Sequence, residues 1–350
     1  MADLEQALAE RVRQAGVERT PLHIHGGRTK SFYGRVCAGE PVDMTHHTGV
    51  VSYAPTELVI TARAGTPLVE IEAQLAEKNQ ILPFEPPHFG PGATFGGMLA
   101  AGLSGPRRPW AGALRDAVLG VKLINGRGDV LSFGGQVMKN VAGYDVSRLL
   151  AGSMGSLGVI LEASIKVLPR PASALTLVLD VDADTAARRV LELGRRALPL
   201  SGSLYYDGQL WLRLCGAEQG VAAAREFIGG EVERADVWHA VRDHSLAFFN
   251  PPRPLWRLSL PAAAPALALP GETLIEWGGA LRWLVSDAAP EAIRSRVQAL
   301  GGHATWFRHH DGTAPVFHPL PAPLMALHRA VKKSLDPHGL FNPGRMYPEL

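Results

Sequence analysis

The sequence predicts an α+β protein built from two domains, and three observations carry this prediction. The chain has 350 residues, which at about 100–200 residues per domain is enough for two. Strand-like and helix-like segments alternate over the first 170 residues, and 16 of the 38 glycines are concentrated between residues 90 and 160. Residues 171–310 then carry a loosely repeated strand–helix–strand–strand–helix–strand order, which is typical of a ferredoxin-like split sheet.

The first 170 residues contain two helix patterns and a series of short strands. Apolar residues recur at helical spacing within residues 1–15. Thr66 is the expected N-cap of a second helix that starts at Pro67 and runs to residue 78. Asn125-Gly126 lies between two β-rich runs and predicts a hairpin. The strands predicted here are 22–25, 50–53, 58–62, 118–124, 129–133 and 158–167.

The remaining sequence divides into a repeated region and a separate C-terminal segment. The repeat is imperfect, because the first helix of its second half is short or absent. Its first half is predicted to contain strands 174–181, 202–206 and 210–215 and helices 183–198 and 217–229; its second half, strands 256–260, 273–277, 281–285 and 303–307 and helix 290–300. A helix over 323–335 and a tail over 336–345 follow. We therefore expect three regions, 1–170, 171–322 and 323–350, the last returning to the first.

Composition excludes several classes of protein. The net charge of +2, without a long basic run, argues against a nucleic-acid partner. No stretch approaches the roughly 20 apolar residues of a membrane-spanning helix, and the N-terminus lacks the apolar segment of a signal peptide. We expect a cytoplasmic protein and leave open peripheral attachment to the inner membrane through partners. The two cysteines, Cys37 and Cys215, are too few for an iron–sulfur cluster, and no metal site is predicted.

A glycine-rich loop after the first strand is a candidate pyrophosphate site. It reads His25-Gly26-Gly27-Arg28-Thr29-Lys30-Ser31. Two small residues allow several backbone N–H groups to converge on phosphate oxygens. The hydroxyl groups and the two cations supply further donors and charge. Alone, such a loop is more often an ordinary turn.

Two further segments have the composition of a cofactor surface. Residues 90–105 are almost free of charge and contain almost only small side chains, so a flat ring system can lie against them. Close helix packing is the alternative explanation. Residues 139–145 and 149–160 place glycine-punctuated turns before a β-branched strand, where backbone groups can bind a ring edge.

Together these segments resemble the FAD-binding domain of the vanillyl-alcohol oxidase and p-cresol methylhydroxylase (PCMH) type. The resemblance rests on six motifs in a fixed order, which are more specific than any one of them. They occupy residues 26–29, 94–105, 115–120, 139–145, 152–160 and 336–344. The resemblance implies a PCMH-type FAD-binding domain of two subdomains, followed by a smaller ferredoxin-like α+β cap domain.

Within this family, the chain is most similar to the small FAD-binding subunits of bacterial glycolate oxidases, in its length, in residues 139–145 and in its short cap. This resemblance implies an FAD-dependent oxidoreductase subunit that acts on glycolate or another small 2-hydroxyacid. It also implies two partners, namely a larger paralogous FAD-binding subunit and an iron–sulfur subunit that accepts the electrons of the flavin.

The resemblance also assigns residues to the cofactor. Residues 26–31 are expected at the pyrophosphate, and residues of the 94–105 segment along the flavin and ribityl chain. Covalent members often place His directly after the Gly-Gly pair; Arg28 and Thr29 stand there, so we expect non-covalent FAD. The expected FAD-binding residues are His25, Gly26, Gly27, Arg28, Thr29, Lys30, Ser31, Thr94, Gly96, Gly97, Ala101, Gly102, Ser104, Gly105, Gly158, Ile160, Asn342 and Arg345.

The catalytic assignment stays open at the level of the sequence. Oxidation of a hydroxyacid by a flavin needs a base for the hydroxyl proton and a cation for the carboxylate. His309 and His310 are the candidate bases, and the Glu-His-Gly-Ile-Gly signature of larger relatives is absent. Two alternatives therefore remain: a flavin-carrying assembly subunit with the chemistry on a larger paralogous chain, or a stand-alone FAD oxidoreductase such as a D-lactate dehydrogenase.

Overall fold

The computed structural model describes residues 2–135, 144–250, 252–310, 312 and 314–350. The chain forms two compact units, the first made of Met1–Leu103, Ala113–Pro169 and Pro319–Leu350 and the second of Ser104–Gly112 and Arg170–His318. The expected boundaries were at 170/171 and 322/323. The difference is largest at 104–112, a stretch that the sequence groups with the first domain and that belongs to the second unit.

The helices and strands up to residue 169 follow the predicted order, with additions. The helices are α1 (Ala2–Glu18), α2 (Leu68–Ala76), α3 (Phe95–Ala101), α4 (Arg108–Ala111), α5 (Leu114–Ala117) and α6 (Val146–Leu149). The strands are β1 (Leu22–His25), β2 (Glu40–Asp43), β3 (Val50–Ala54), β4 (Val59–Arg63), β5 (Gln80–Ile81), β6 (Val118–Ile124), β7 (Val130–Gly134), β8 (Val159–Lys166) and β9 (Leu168–Pro169). Of these, α4 belongs to the second unit.

One predicted helix start is wrong by one residue. Helix α2 has Pro67 as its N-cap and begins at Leu68. The hydroxyl of Thr66 is used elsewhere, because it donates to the carbonyl of Arg63 at 2.8 Å.

The first unit holds three sheets around one apolar core. The two strands β1 and β2 run parallel, and β5 pairs with β9. A five-stranded sheet has the order β3-β4-β8-β6-β7, with every pair antiparallel. The core packs the inward faces of this sheet and of α1, α2 and α3 together, and it includes the fully buried Phe84, Phe95 and Phe341. Strand β1 and helix α3 are thereby held beside the same core, which brings the loops at their ends together.

The second unit and the C-terminal segment supply the other elements. The helices are α7 (Ala183–Gly194), α8 (Glu218–Ile228), α9 (Val237–Arg242), α10 (Pro290–Ala299) and α11 (Ala322–Leu335), the last in the first unit. The strands are β10 (Ser173–Asp180), β11 (Leu200–Tyr206), β12 (Gln209–Gly216), β13 (Glu231–Glu233), β14 (Leu255–Ser259), β15 (Glu272–Glu276), β16 (Leu281–Val285) and β17 (His303–Arg308). Single 3-10 turns lie at Pro55–Glu57, Ala247–Phe249 and Trp277–Gly279.

The second unit confirms the predicted repeat. Its eight strands form one sheet in the order β13-β10-β12-β11-β15-β16-β14-β17. In each half the first strand lies between the third and the fourth, and the two halves meet where β11 pairs antiparallel with β15. The first helix of the second half is missing, since residues 260–271 are all described and form no helix.

Candidate functional site

One cavity in the first unit collects most of the residues expected at the cofactor. It encloses about 890 Å³ of space between protein atoms, part of it open to solvent. Its lining comes from the end of β1 and the loop after it, from α3, from the start of β8 and from the C-terminal tail: His23, Ile24, His25, Gly26, Gly27, Arg28, Thr29, Lys30, Ser31, Tyr33, Met44, Ala64, Thr94, Gly96, Gly97, Ala100, Ala101, Met154, Gly155, Gly158, Ile160, Asn342 and Arg345.

The loop after β1 presents unpaired backbone donors to this cavity. Within the described structure, the N–H groups of Gly27, Arg28 and Thr29 donate to no protein acceptor. Arg28 has a left-handed backbone, with φ of 56°. The turn is closed from the far side, where the backbone N–H of Ser31 donates to the Arg28 carbonyl at 3.1 Å. Consecutive free N–H groups next to a residue of positive φ form a concave anion-binding nest.

The charge of the cavity is of one sign. Its lining includes Arg28, Lys30 and Arg345 together with His23 and His25, and no carboxylate is among the described residues that line it. Burial lowers the pKa of His23, and electrostatic interactions with His25, Arg345 and Arg28 lower it further. A dianionic pyrophosphate suits this combination of free N–H groups and positively charged side chains.

Helix α3 gives the cavity a small-residue wall. Thr94 is the N-cap of the helix, and its Oγ1 accepts from the N–H of Gly97 at 3.2 Å. A methyl group built at Gly97 would contact only that hydroxyl, at 2.9 Å, so this position otherwise faces open space. At Gly96 the same methyl group would press against Ala64 of the neighbouring chain segment. The helix therefore packs with one glycine and leaves the other beside the space that a ring system needs.

Two side chains of the C-terminal tail bind the backbone of the segments that line the cavity. The side chain of Asn342 accepts from the N–H of Ile24 at 2.7 Å and donates to the carbonyl of Met154 at 2.7 Å. It thus joins β1 to the turn before β8. The guanidinium of Arg345 donates to the carbonyls of Tyr33 at 2.6 Å and of Arg35 at 2.7 Å. Both residues line the cavity, and both organise its loops.

His25 is held in one tautomer. Arg28 donates through Nη2 to Nε2 of His25 at 2.7 Å, so that nitrogen carries the lone pair. Nδ1 then carries the proton and faces the Gly26 carbonyl at 3.2 Å. Because its basic nitrogen is already engaged, His25 is a poor nucleophile toward a flavin, which agrees with the expectation of a non-covalent cofactor.

Three of the expected cofactor residues do not line the cavity. Gly102 ends α3 with φ of 64° and packs against the backbone of Gly152. Ser104 and Gly105 belong to the second unit, where Gly105 accepts a hydrogen bond from the indole of Trp277 at 3.0 Å. Residues 139–143 of the third expected segment lie outside the described residues. The small-residue run from 94 to 105 thus lines the cavity only as far as the end of α3, and its last residues pack elsewhere.

The two candidate bases lie in the second unit. His309 and His310 follow β17, and His309 has φ of 56°. The ring of His310 contacts that of Trp306, with centroids 6.3 Å apart. Neither histidine is among the lining residues of the cavity.

Sequence reasoning missed several lining residues. His23, Ile24, Tyr33, Met44 and Ala64 line the cavity without having been predicted, and Ala100, Met154 and Gly155 line it from predicted segments without having been named individually. His23 and Gly155 carried a signal, since each lies within two residues of a predicted site residue or motif glycine. Met44 and Ala64 carried none, because their place in the cavity depends on strand pairing.

One cluster of the described residues has the composition of a metal site. Ligand atoms of Glu5, His47 and Glu162 lie within 4.8 Å of one another. However, Lys122 donates to Glu5 at 2.7 Å and faces Glu162 across the strand pair. A lysine therefore already supplies the positive charge, and we interpret the cluster as an ion-pair network.

Among the described residues, every helix is too short or too polar to cross a lipid bilayer.

The chain resembles known proteins over its whole length. A family model described as an FAD binding domain matches residues 2–134. Glycolate oxidase subunit GlcE of Escherichia coli (strain K12) is 53% identical over 348 residues, which cover 99% of each chain. Glycolate oxidase subunit GlcD of Bacillus subtilis (strain 168) is 31% identical over 179 residues, covering 50% of this chain and 38% of that one. A D-lactate dehydrogenase of Archaeoglobus fulgidus is 35% identical over 190 residues, or 53% and 42% of the two chains.

A solved structure of an alkyldihydroxyacetonephosphate synthase has the same fold. Its TM-score is 0.68 at 15% identity, and the match covers 96% of this chain and 74% of that one. The predicted α+β fold and the predicted cofactor, FAD, are confirmed. The match at 53% identity over nearly the whole of both chains shows that this chain belongs to the FAD-binding family of glycolate oxidase GlcE subunits.

Proposed function

We propose that this chain is the FAD-binding subunit of a multi-subunit glycolate, or 2-hydroxyacid, oxidase or dehydrogenase. The observation that carries the proposal is the cavity, which has unpaired N–H groups, the cationic side chains of Arg28, Lys30 and Arg345 and a wall of small residues, in a chain that matches a glycolate oxidase subunit over its full length. A larger paralogous FAD-binding chain and an iron–sulfur chain are the proposed partners, and any membrane attachment of this cytoplasmic complex comes from them.

In the proposed arrangement, the nest at Gly27, Arg28 and Thr29 holds the pyrophosphate, and Arg28 and Lys30 offset its charge. Gly97 and Ala101 on α3 lie along the flavin side. Arg345 keeps the loop after β1 in shape through its bonds to the carbonyls of residues 33 and 35. When bound, FAD supplies the two-electron redox chemistry of hydroxyacid oxidation.

The partners follow from what this chain lacks in its sequence. Its two cysteines cannot hold an iron–sulfur cluster, which usually needs four cysteine ligands. If electrons leave its flavin through an iron–sulfur cluster, that cluster therefore belongs to another chain. The likeness to glycolate oxidase subunit GlcD over about half of this chain supports a second, paralogous flavin subunit.

Anaerobic reduction by substrate tests the proposal. The chain is produced with its partner subunits, and the flavin absorbance is followed after glycolate is added. We expect bleaching in the complex, and reoxidation when an electron acceptor is supplied. A complex that is colourless, or whose flavins all stay oxidised, would contradict the proposal.

A flavin-carrying assembly subunit is the second candidate. It is favoured by the position of His309 and His310, which lie in the second unit and outside the cavity lining. The isolated chain separates the two candidates. Bleaching of its own flavin by glycolate supports direct oxidation, whereas a spectrum that changes only after the larger subunit is added supports the assembly role.

A further inference from the structure

A buried lysine outside the cavity connects the segments that line it. Lys332 on α11 is only 8% exposed. Its Nζ donates to the carbonyl of Ser156 at 2.7 Å, to Oδ2 of Asp336 at 2.7 Å and to the carbonyl of Phe341 at 2.8 Å. An ammonium group has three N–H donors, and all three are used.

Its partner Asp336 fixes the turn after α11. This carboxylate is 1% exposed and accepts from the N–H groups of Leu340 at 3.0 Å and Phe341 at 2.8 Å. Together with the lysine it holds both the N–H and the carbonyl of Phe341. These hydrogen bonds therefore fix the position of the backbone that leads into Asn342.

The two carbonyls that Lys332 binds lie next to cavity residues. Phe341 precedes Asn342, whose side chain joins Ile24 and Met154. Ser156 belongs to the turn that contains Met154 and Gly155, which both line the cavity. One ammonium thus sets the distance between the tail and the turn before β8.

We propose that Lys332 is a positioning residue for FAD: with Asp336 it holds the 154–156 turn and the 341–345 tail in the arrangement that accepts the cofactor. Lys332 itself does not line the cavity. The inference rests on the proposed placement of FAD in this cavity. It predicts an effect on the bound flavin in addition to any effect on stability.

The physical reason is the cost of an unpaired carbonyl. If the ammonium is removed, Asp336 and two buried carbonyls lose their common hydrogen-bond donor. Leaving these acceptors unpaired is costly, which favours a displacement of the backbone that gives them other partners. The neighbours free to move are the tail and the turn, since both are irregular segments. Their displacement changes the cavity without unfolding the core.

Lys332→Met, Lys332→Gln and Lys333→Met test this proposal. Lys333 is exposed and follows Lys332 directly, so its variant is the matched control. The apoproteins are titrated with FAD, the visible circular dichroism of the bound flavin is recorded, and unfolding by urea is measured without FAD. We expect Lys332→Met to weaken FAD binding about tenfold or more and to change the visible spectrum. Lys332→Gln, which keeps two N–H donors, should fall between it and the wild type.

A merely structural role predicts a different result. In that case Lys332→Met lowers resistance to urea but binds FAD with unchanged affinity and an unchanged spectrum, and this outcome overturns the proposal. If Lys332→Met does not fold, Lys332→Gln decides by the same two measurements. Failure of the cavity assignment itself is distinguishable, because a Gly97→Leu variant would then also keep its affinity for FAD.

Discussion

Gly27 and Gly97 serve the cavity in two different ways. A side chain at Gly27 would overlap the carbonyl of Gly92, so glycine is needed there for two backbones to touch. A side chain at Gly97 would meet only the hydroxyl of Thr94 and would otherwise enter the cavity. Substitution at the first position disturbs the protein, whereas substitution at the second disturbs the space for a ligand.

Gly97→Leu is therefore expected to abolish FAD retention in a protein that stays folded. The position is helical and its φ is not positive, so leucine is compatible with the backbone. Flavin absorbance per protein measures retention, and far-ultraviolet circular dichroism measures folding. Gly220→Leu is the control, because Gly220 lies on helix α8 with no neighbour within 4 Å. A Gly97→Leu protein with full yellow colour would refute the placement of the flavin.

At the scale of elements, the connection from β14 to β15 shows how the protein accommodates a missing helix. A non-helical segment lacks the regular internal hydrogen bonds of a helix, so most of its carbonyls need other partners or water. Arg282 on β16 is 5% exposed and donates to the carbonyls of Ala264 and Pro265. Arg296 on α10 donates to the carbonyl of Leu267 at 2.7 Å. Two arginines thus supply donors to several carbonyls that a helix would have paired internally.

Arg282→Met should destabilise the second unit by about 2–3 kcal/mol, because it removes the hydrogen bonds that the charged guanidinium donates to the carbonyls of Ala264 and Pro265. Unfolding by urea, followed by tryptophan fluorescence, measures the change. Arg225→Met, at an exposed position of α8, provides a charge-matched comparison that we expect to be neutral. Equal stability of the two variants would show that these carbonyls do not depend on Arg282.

At the scale of the whole molecule, burial acts on five histidines in the same direction. It is the largest cause of the lowered pKa of His23, His47, His244, His303 and His318. For each of them the unfolded chain binds a proton more readily than the folded chain. Their contribution to stability is complete above the unfolded pKa of about 6.5 and decreases as the pH falls below it.

The free energy of unfolding should therefore fall between pH 7 and pH 5.5. The second unit should respond most, since it contains His244, His303 and His318. Urea unfolding at several pH values measures this, with the two units fitted separately. His244→Phe should reduce the dependence of the free energy of unfolding on pH, because it removes the titrating imidazole. Phenylalanine preserves the stacking on Phe249, whose ring centroid lies 3.8 Å from that of His244. Constant stability over this pH range would be inconsistent with the direction of these shifts.

The cofactor loop was predictable because its signal is local. The donors and charges of the nest come from five consecutive residues, Gly26-Gly27-Arg28-Thr29-Lys30. The order of strands in the second unit was predictable for a similar reason, since each strand and helix carries its own apolar period. The assignment of residues 104–112 to the second unit was not predictable. A segment this short has no core of its own, so its unit depends on the tertiary contacts that it makes.

The sequence by itself determined the family, the cofactor and the kind of fold, because motif order and hydrophobic periodicity are written along the chain. Only the tertiary structure decided that Gly102, Ser104 and Gly105 lie away from the cavity, that Arg28 occupies the free nitrogen of His25 and that Lys332 joins the tail to the turn before β8. The physical reason is distance along the chain: Lys332 and Ser156 are 176 residues apart, and such a contact depends on how the core packs.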